Sequence, residues 1–228
     1  MIIKVCGMRD AENIREVESV GIDMMGFICW EGSPRFVREV PAYLPRCPRV
    51  GVFVNPSLEY VKQRCQAFGF SFIQLHGTES PEFCQAVRQE TGCKVIKTIS
   101  IDLSQTSRPS PNLSLVGRGA NTTGDSNNSS PYKGEVGRGS LLLFDTKCPT
   151  MGGSGRQFNW DILSGYRGEM PFLLSGGIGP DDAERLRQWH HPKCLGIDIN
   201  SRFETAPGIK DINKIKSFIN TIRQHESN

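Results

Sequence analysis

Two short segments that lie far apart in the chain each carry one side chain able to transfer a proton. The first is Lys4-Val5-Cys6-Gly7, at the end of an apolar N-terminal run, and the second is Phe144-Asp145-Thr146, which follows three leucines. Each stands where a buried strand is predicted to give way to a loop, and in a barrel of parallel strands that end carries the catalytic side chains. A thiol and a carboxyl group placed there indicate a general base, Cys6, and a general acid, Asp145.

The surroundings of Cys6 and Asp145 favour these roles, although each residue also has a simpler structural interpretation. Lys4 lies two residues before Cys6 on the same side of the strand, where its charge would favour the reactive thiolate. Asp145 follows four apolar residues, and partial desolvation there favours the protonated form that a general acid needs. Alternatively, Cys6 is a buried structural cysteine, and Asp145 caps a helix or pairs with Lys147.

Two segments rich in small polar residues are typical of phosphate binding. Ser175-Gly176-Gly177-Ile178 follows the predicted seventh strand, and Asp198-Ile199-Asn200-Ser201-Arg202 follows the eighth. In many barrels the loops after the last two strands hold a phosphate with backbone N–H groups, which glycine allows to approach closely. A third glycine-rich segment, 147–160, follows the sixth strand and is interpreted as a loop that closes over a ligand.

Two further side chains are candidates for substrate binding. Arg35, in Ser33-Pro34-Arg35 after the second strand, can hold a carboxylate with two parallel hydrogen bonds, although a surface arginine is the simpler interpretation. His76, in Gln74-Leu75-His76-Gly77 after the fourth strand, either faces the pocket or finishes a turn. We count both residues among the candidates.

Eight short apolar runs are predicted to be strands, and the near absence of alternation within them suits strands that are covered on both faces. They span residues 2–5, 24–29, 50–54, 72–75, 94–99, 141–144, 172–174 and 195–199. Helical patterns lie between them: 11–17 capped by Asp10, one from Pro56 capped by Ser57 or Asn55, one from Ser80-Pro81, one from Pro180, and 211–222.

The alternation of predicted strands with predicted helices indicates an α/β fold, a (β/α)8 barrel formed by a single domain that spans residues 1–228. The competing architecture is an open doubly wound sheet, which would be expected to carry a glycine-rich turn after its first strand. The polar stretch 102–140 stands where the fifth helix would lie, and its composition cannot bury enough apolar surface to offset ordering. We interpret it as a flexible insertion that replaces this helix, with a catalytic lid as the alternative.

The composition excludes several classes of protein. The 228 residues are 37% hydrophobic with a net charge of +3, which is typical of a globular domain and too balanced to indicate nucleic-acid binding. No apolar run approaches the roughly 20 residues of a membrane span, and the N-terminal run is too short for a signal peptide. We therefore expect a cytoplasmic protein without a membrane partner. The eight cysteines are scattered without zinc-site spacing, so no metal is expected.

Taken in order, these motifs resemble the phosphoribosylanthranilate isomerase family of tryptophan biosynthesis, over nearly the whole chain outside 102–140. The resemblance is carried by Lys4-Val5-Cys6-Gly7, Ser33-Pro34-Arg35, Gly51-Val52-Phe53-Val54-Asn55, Gln74-Leu75-His76-Gly77, Phe144-Asp145-Thr146 with Gly152-Gly153-Ser154-Gly155, Ser175-Gly176-Gly177-Ile178 and Asp198-Ile199-Asn200-Ser201-Arg202.

The resemblance implies a barrel without a cofactor that acts as an aldose–ketose isomerase. The expected reaction is the Amadori rearrangement of N-(5-phosphoribosyl)anthranilate to 1-(2-carboxyphenylamino)-1-deoxyribulose 5-phosphate. The family's base falls on Cys6, its acid on Asp145 and its anthranilate-binding arginine on Arg35. Its phosphate contacts fall on Gly176, Gly177, Asp198, Asn200 and Ser201. The expected partner is this small phosphosugar alone, and the expected assembly is a monomer or a homodimer.

The sequence departs from the family at Arg202-Phe203-Glu204, where many relatives have a glycine; these side chains would narrow the phosphate pocket or contact the next helix.

One alternative is another phosphosugar enzyme of this barrel group, such as indole-glycerol-phosphate synthase, but its chemistry needs a catalytic lysine with glutamate partners at the strand ends. A metal-dependent epimerase would need His and Asp ligands. The other alternative is a degenerate barrel that binds a phosphate ligand without turnover. Activity on the related histidine-pathway aminoaldose stays open.

Overall fold

Eight parallel strands form a closed barrel in the computed structural model of this protein, which describes residues 1–101, 140–146 and 157–224. Each strand pairs with the next along the chain, and the first pairs with the eighth. The strands are β1 (Ile2–Val5), β2 (Met24–Ile28), β3 (Arg49–Phe53), β4 (Phe72–Leu75), β5 (Lys94–Ile101), β6 (Leu141–Thr146), β7 (Phe172–Leu174) and β8 (Cys194–Ile199). The predicted barrel is therefore confirmed.

Four of the five described helices begin within two residues of their predicted starts. They are α1 (Ala11–Ser19), α2 (Leu58–Phe68), α3 (Pro81–Thr91), α4 (Ala183–Gln188) and α5 (Ile212–Arg223). The side chains of Asp10, Ser57, Ser80 and Asp211 each accept a hydrogen bond from the backbone N–H three residues later. Helix α4 begins three residues later than predicted, because 180–182 form a 3-10 turn. No helix in the described ranges is long and apolar enough to cross a membrane.

Strands β5 and β6 are each two residues longer than predicted, which changes the position of Asp145. Their pairing continues to Ile101 and Thr146, so Asp145 lies inside β6 opposite Ser100 rather than in the following loop. Polar side chains at a strand end do not stop the strand here, because the neighbouring strand still satisfies the backbone groups.

The regular alternation of strand and helix is incomplete within the described residues. Between β2 and β3 the chain forms turns, and four prolines there (Pro34, Pro41, Pro45 and Pro48) are incompatible with a helix interior. After β6 the described chain resumes at residue 157 and forms a 3-10 stretch at Trp160–Gly165. The predicted insertion, apart from Ser140, lies outside the described residues, as do residues 147–156 of the third glycine-rich segment.

Strand side chains alternate between the barrel interior and the layer beneath the helices. In β1, Ile3 and Val5 belong to the larger core under the helices, whereas Cys6 belongs to a smaller core inside the barrel. The inner core consists of Cys6, Met24, Val50, Val52, Ile96, Leu141, Leu143 and Leu173. The same alternation turns Lys4, Asp145 and Asp198 inward. The inside of the barrel is thus apolar in its lower part and polar at the carboxyl ends of the strands.

Candidate active site

Cys6 lies beside a buried ion pair that links the first and last strands. The Lys4 Nζ atom is 2.8 Å from Asp198 Oδ1, and neither side chain is more than 6% exposed. The register of β1 and β8 places these two residues opposite each other, and the Cys6 N–H donates to the Ile199 carbonyl at 2.9 Å. Closure of the barrel therefore assembles the cluster of Cys6, Lys4 and Asp198.

Burial controls the protonation of this cluster. Desolvation raises the pKa of the Cys6 thiol, and the ammonium groups of Lys4 and Lys210 only partly oppose it. Desolvation also raises the pKa of Asp198, against the attraction of Lys4. Burial alone would lower the pKa of Lys4, but Asp198 and Cys6 outweigh it and the pKa is raised. The predicted activation of Cys6 by Lys4 is therefore present but outweighed, because a thiolate would give a desolvated cluster a net negative charge.

Asp145 lies next to His76 at the carboxyl end of the barrel. The His76 Nε2 atom is 3.4 Å from Asp145 Oδ2. The Gln74 side-chain nitrogen, Nε2, lies 3.2 Å from His76 Nδ1 and can only donate, which fits a ring proton on His76 Nε2, facing Asp145. The Thr146 N–H donates to the other carboxyl oxygen at 2.8 Å. The structure thus places His76 beside Asp145, and a contact between His76 and a substrate stays a prediction.

Arg35 lies against the turn that follows Cys6 and already holds a carboxylate of this chain. A Cβ atom added at Gly7 would lie 2.7 Å from Arg35 Cδ, which shows how closely the two pack. The Arg35 Nε and Nη2 groups donate to Glu204 Oε1 and Oε2 at 2.8 and 2.7 Å. Its Nη1 group has no hydrogen-bond acceptor among the described residues.

The sequence interpretation missed Lys210 and named Glu204 only as part of a departure from the family. The two residues flank the turn of a short hairpin, β9 (Glu204–Ala206) and β10 (Ile209–Lys210). The Lys210 Nζ atom lies 2.6 Å from Glu204 Oε1 and 2.7 Å from Asn200 Oδ1. Burial alone would raise the pKa of Glu204, but Arg35 and Lys210 outweigh it and the pKa is lowered. Burial also lowers the pKa of Lys210, which Glu204 partly offsets. The feature of the sequence that could have indicated this pair is the presence of a charged residue on each side of Pro207-Gly208.

A second missed pair supports the loop that carries His76. The Lys97 Nζ atom lies 2.6 Å from Glu79 Oε2 and 2.7 Å from the Gly77 carbonyl, and both charged side chains are at most 4% exposed. The signal in the sequence was a lysine inside an otherwise apolar strand, since a buried ammonium requires a partner.

The two predicted phosphate segments lie side by side, because β7 and β8 are neighbours. Gly176 and Gly177 have φ angles of 90° and 67°, a conformation that glycine adopts without strain. Asn200 and Ser201 follow β8, where Ser201 begins a 3-10 turn. The carboxylate of Asp198, by contrast, is held by Lys4 below these loops. The structure thus brings Gly176, Gly177, Asn200 and Ser201 together and places Asp198 in the cluster with Cys6.

Comparison with known proteins assigns this arrangement to a family. A sequence profile described as N-(5'phosphoribosyl)anthranilate (PRA) isomerase matches residues 3–124 and 120–221. The N-(5'-phosphoribosyl)anthranilate isomerase of Phocaeicola vulgatus is 46% identical over 225 residues, which cover 98% of each chain. The chain belongs to the N-(5'-phosphoribosyl)anthranilate isomerase family.

A second relative and a solved structure agree with this membership. The N-(5'-phosphoribosyl)anthranilate isomerase of Parabacteroides distasonis is 43% identical over 229 residues, which cover 97% of this chain and 93% of the relative. The crystal structure of phosphoribosyl anthranilate isomerase from Thermus thermophilus superposes with a TM-score of 0.73 at 25% identity, covering 98% of this chain and 99% of that one. The predicted family and barrel architecture are both confirmed.

Proposed function

We propose that this chain catalyses the isomerisation of N-(5-phosphoribosyl)anthranilate to 1-(2-carboxyphenylamino)-1-deoxyribulose 5-phosphate, a step of L-tryptophan biosynthesis. The observation that carries the proposal is family membership at 43% and 46% identity over nearly the whole chain. The geometry supports it, since Cys6 and Asp145 both point into the carboxyl end of one barrel from strands that are not neighbours. Two proton transfers on opposite sides of a sugar need two such groups.

In the proposed reaction Asp145 acts first, as a general acid. It donates a proton to the ribose ring oxygen, and the bond between C1 and that oxygen breaks. The lone pair of the anthranilate nitrogen forms the C1=N bond of a protonated Schiff base. His76 Nε2, 3.4 Å from the carboxyl group, orients it and interacts with the carboxylate that proton loss leaves behind.

Cys6 acts second, as the base. Its thiolate removes the C2 proton, the electrons of that C–H bond form the C1=C2 bond, and the C=N electrons return to nitrogen. The resulting enolamine gains a proton at C1 and loses the proton of its C2 hydroxyl group, so C1 is reduced and C2 is oxidised within one molecule. The cationic Schiff base favours the thiolate, because it supplies the positive charge that the buried cluster of Cys6 lacks.

The remaining candidate residues are proposed to bind and orient the substrate. Arg35 Nη1 receives the anthranilate carboxylate, while the backbone of Gly176 and Gly177, together with Asn200 and Ser201, receives the phosphate. We propose that Asp198 holds Lys4 beside Cys6 instead of contacting the phosphate through its carboxylate, since two anions in contact repel each other.

The test is the loss of phosphoribosylanthranilate fluorescence when purified protein is added. We expect rapid loss with the wild type, and turnover lower by several orders of magnitude in Cys6→Ser and in Asp145→Asn, because each removes one required proton transfer. Cys47→Ser, which removes a partly buried thiol before β3, is the matched control and should keep wild-type turnover.

Folded wild-type protein without turnover would contradict the proposed function. Near-normal turnover in a folded Cys6→Ser or Asp145→Asn variant would contradict the assigned role, and circular dichroism establishes folding in each case. The expectations of a cytoplasmic location, a monomer or homodimer, and a reaction without cofactor or metal stay predictions.

A further inference from the structure

Arg202 is an exposed cation beside the proposed phosphate loops. It lies on the 3-10 turn Ser201–Phe203, directly after β8 and one residue beyond Ser201. Most of the charged groups around the site lie in buried ion pairs, as Lys4 does with Asp198, Arg35 with Glu204 and Lys97 with Glu79. No described carboxylate lies within 4.0 Å of Arg202, so among the described residues it forms no ion pair.

The guanidinium of Arg202 reaches across to the loop that follows β7. Its Nη1 group contacts the Gly177 carbonyl at 3.4 Å, which is near the limit of a hydrogen bond. A Cβ atom added at Gly179 would lie 2.6 Å from Arg202 Nε and 2.9 Å from Cζ. The guanidinium therefore lies against the backbone at Gly179, in space that the absence of a side chain leaves free.

The nearby carboxylate of Asp182 is already engaged elsewhere. Its Oδ2 atom accepts hydrogen bonds from the Gly179 N–H at 2.7 Å and from Gln157 Nε2 at 2.5 Å. Asp182 therefore fixes the loop after β7 and does not neutralise Arg202. The guanidinium of Arg202 thus contacts Gly177, whose φ angle is left-handed, lies against Gly179, and forms no ion pair with a described residue. Such a group suits a doubly charged phosphate.

We propose that Arg202 binds the 5'-phosphate of the substrate, together with the backbone of the loop after β7. This inference rests on the proposed function, because it assigns a further binding residue to that same site. Arg202 exchanges its weak contact with the Gly177 carbonyl for charge-assisted hydrogen bonds to phosphate oxygens. The phosphate stays unchanged during the reaction, so this contact contributes equally to the ground state and the transition state.

The first experiment compares the kinetics of Arg202→Met and Arg202→Lys with the wild type. We expect KM to rise about tenfold in Arg202→Met with a much smaller change in kcat, because the lost contact binds the substrate and the transition state equally. Arg202→Lys should recover part of the loss, and inorganic phosphate should become a correspondingly weaker competitive inhibitor of Arg202→Met. Arg46→Met, which removes an exposed arginine before β3 at the opposite end of the barrel, is the matched control.

A second variant perturbs Arg202 without changing it. Gly179→Ala places a methyl group where the guanidinium lies, and the flexible side chain can move away, so we expect the protein to fold and KM to rise in the same direction. Gly179 has an ordinary φ angle of −126°, so alanine introduces no backbone strain there. This variant keeps the proposal testable if Arg202→Met does not fold.

A binding measurement separates this proposal from the proposed function. Inorganic phosphate should raise the thermal unfolding midpoint of the wild type and of Arg46→Met, and raise it clearly less in Arg202→Met. If the wild type lacks turnover but shows this pattern, the phosphate site stands and the proposed function fails. An unchanged KM and an unchanged phosphate-induced shift in Arg202→Met would overturn the proposal. So would a lower midpoint without phosphate, combined with unaltered phosphate affinity, since that result indicates a purely structural role.

Discussion

The thiol of Cys6 shares its desolvated surroundings with the ion pair of Lys4 and Asp198, and Lys210, the other ammonium group that acts on it, pairs with Glu204. Lys4 and Asp198 neutralise each other at 2.8 Å, so the cluster holds no spare positive charge for a thiolate. Arginine and lysine neighbours usually lower the pKa of a catalytic cysteine, but here the negative charge of Asp198 offsets the effect of Lys4. If Cys6 is the base, as proposed, its thiolate depends on the positive charge of the substrate intermediate.

Alkylation of Cys6 should reflect this environment. Burial raises the pKa of the thiol above its ordinary value of 9.0, so the thiolate fraction is small at neutral pH and increases as the pH rises through the raised value. We expect iodoacetamide labelling of Cys6, followed by peptide mass spectrometry, to reach its half-maximal rate above pH 9.0. Labelling that is already pH-independent at pH 8 would contradict this prediction.

Glu204 should contribute a pH-dependent part of the stability. Burial alone would raise its pKa, yet Arg35 and Lys210 lower it below the ordinary value of 4.5. A carboxyl group whose pKa is lowered in the folded state adds stability at pH values above its pKa in the unfolded state. This stability is lost as the pH falls through the pKa of the folded state. Glu204→Gln should therefore lose about 3 kcal/mol of unfolding free energy at pH 7, and the difference from the wild type should shrink toward pH 3.

Urea unfolding at both pH values measures this effect. Glu59→Gln is the control, because Glu59 is an exposed carboxylate on α2 and its removal should keep the wild-type pH dependence. Equal pH dependence in the wild type and Glu204→Gln would mean that the carboxylate is not stabilised by its partners.

The sequence was sufficient to propose the chemical groups of the site but not to predict the ion pairs that surround them. Cys6, Asp145 and Arg35 could be found because each follows or ends an apolar run, which is a local signal. Their partners are remote: Lys4 and Asp198 are 194 residues apart, and Arg35 and Glu204 are 169 apart. Only the closed fold brings such residues together, so the ion pairs of Asp198 with Lys4 and of Arg35 with Glu204 could not be predicted.

At the scale of the elements, helix starts were predicted best because their signals are short and chemical. Ser80 illustrates this, since its hydroxyl accepts the Phe83 N–H at 3.3 Å and Pro81 follows at the first helical position. The ends of β5 and β6 were predicted too early, because a strand continues as long as its neighbour pairs with it. That information lies in the other strand and not in the local sequence.

Removal of the Ser80 cap tests the contribution of α3. Ser80→Ala should lower the free energy of unfolding by about 1 kcal/mol, because the N–H of Phe83 loses its acceptor at the helix start. Ser80→Asp should keep wild-type stability, since aspartate caps equally well and favours the positive end of the helix. The urea midpoint measures both, and a loss of equal size in the two variants would show that the cap is not responsible.

At the scale of the whole molecule, closure between β1 and β8 is the critical step. Ile2 lies opposite Gly196, and a Cβ atom there would be 2.0 Å from the Ile2 carbonyl oxygen. Backbone atoms of a paired strand cannot move aside without loss of the pairing, so this position requires glycine.

Gly196→Ala should therefore destabilise the barrel severely, by more than about 3 kcal/mol. Gly92→Ala is the matched control: its φ angle is 69°, but a Cβ atom would meet nothing within 4 Å, so only backbone strain of about 1 kcal/mol is expected. Thermal unfolding of the two variants measures the difference, and equal midpoints would contradict the steric argument.

The pairing of β1 with β8 also has a consequence for the time at which the protein becomes active during its synthesis. Lys4 and Cys6 leave the ribosome well before Asp198, which follows 194 residues after Lys4. At 5–20 residues per second, roughly 10 to 40 seconds pass before the lysine can meet its carboxylate. Until then the barrel is open along one seam, and the strand that precedes the proposed base can pair only with β2. A truncated chain that ends before β8 would contain Cys6, Asp145 and His76 and still lack the arrangement that the proposed chemistry requires.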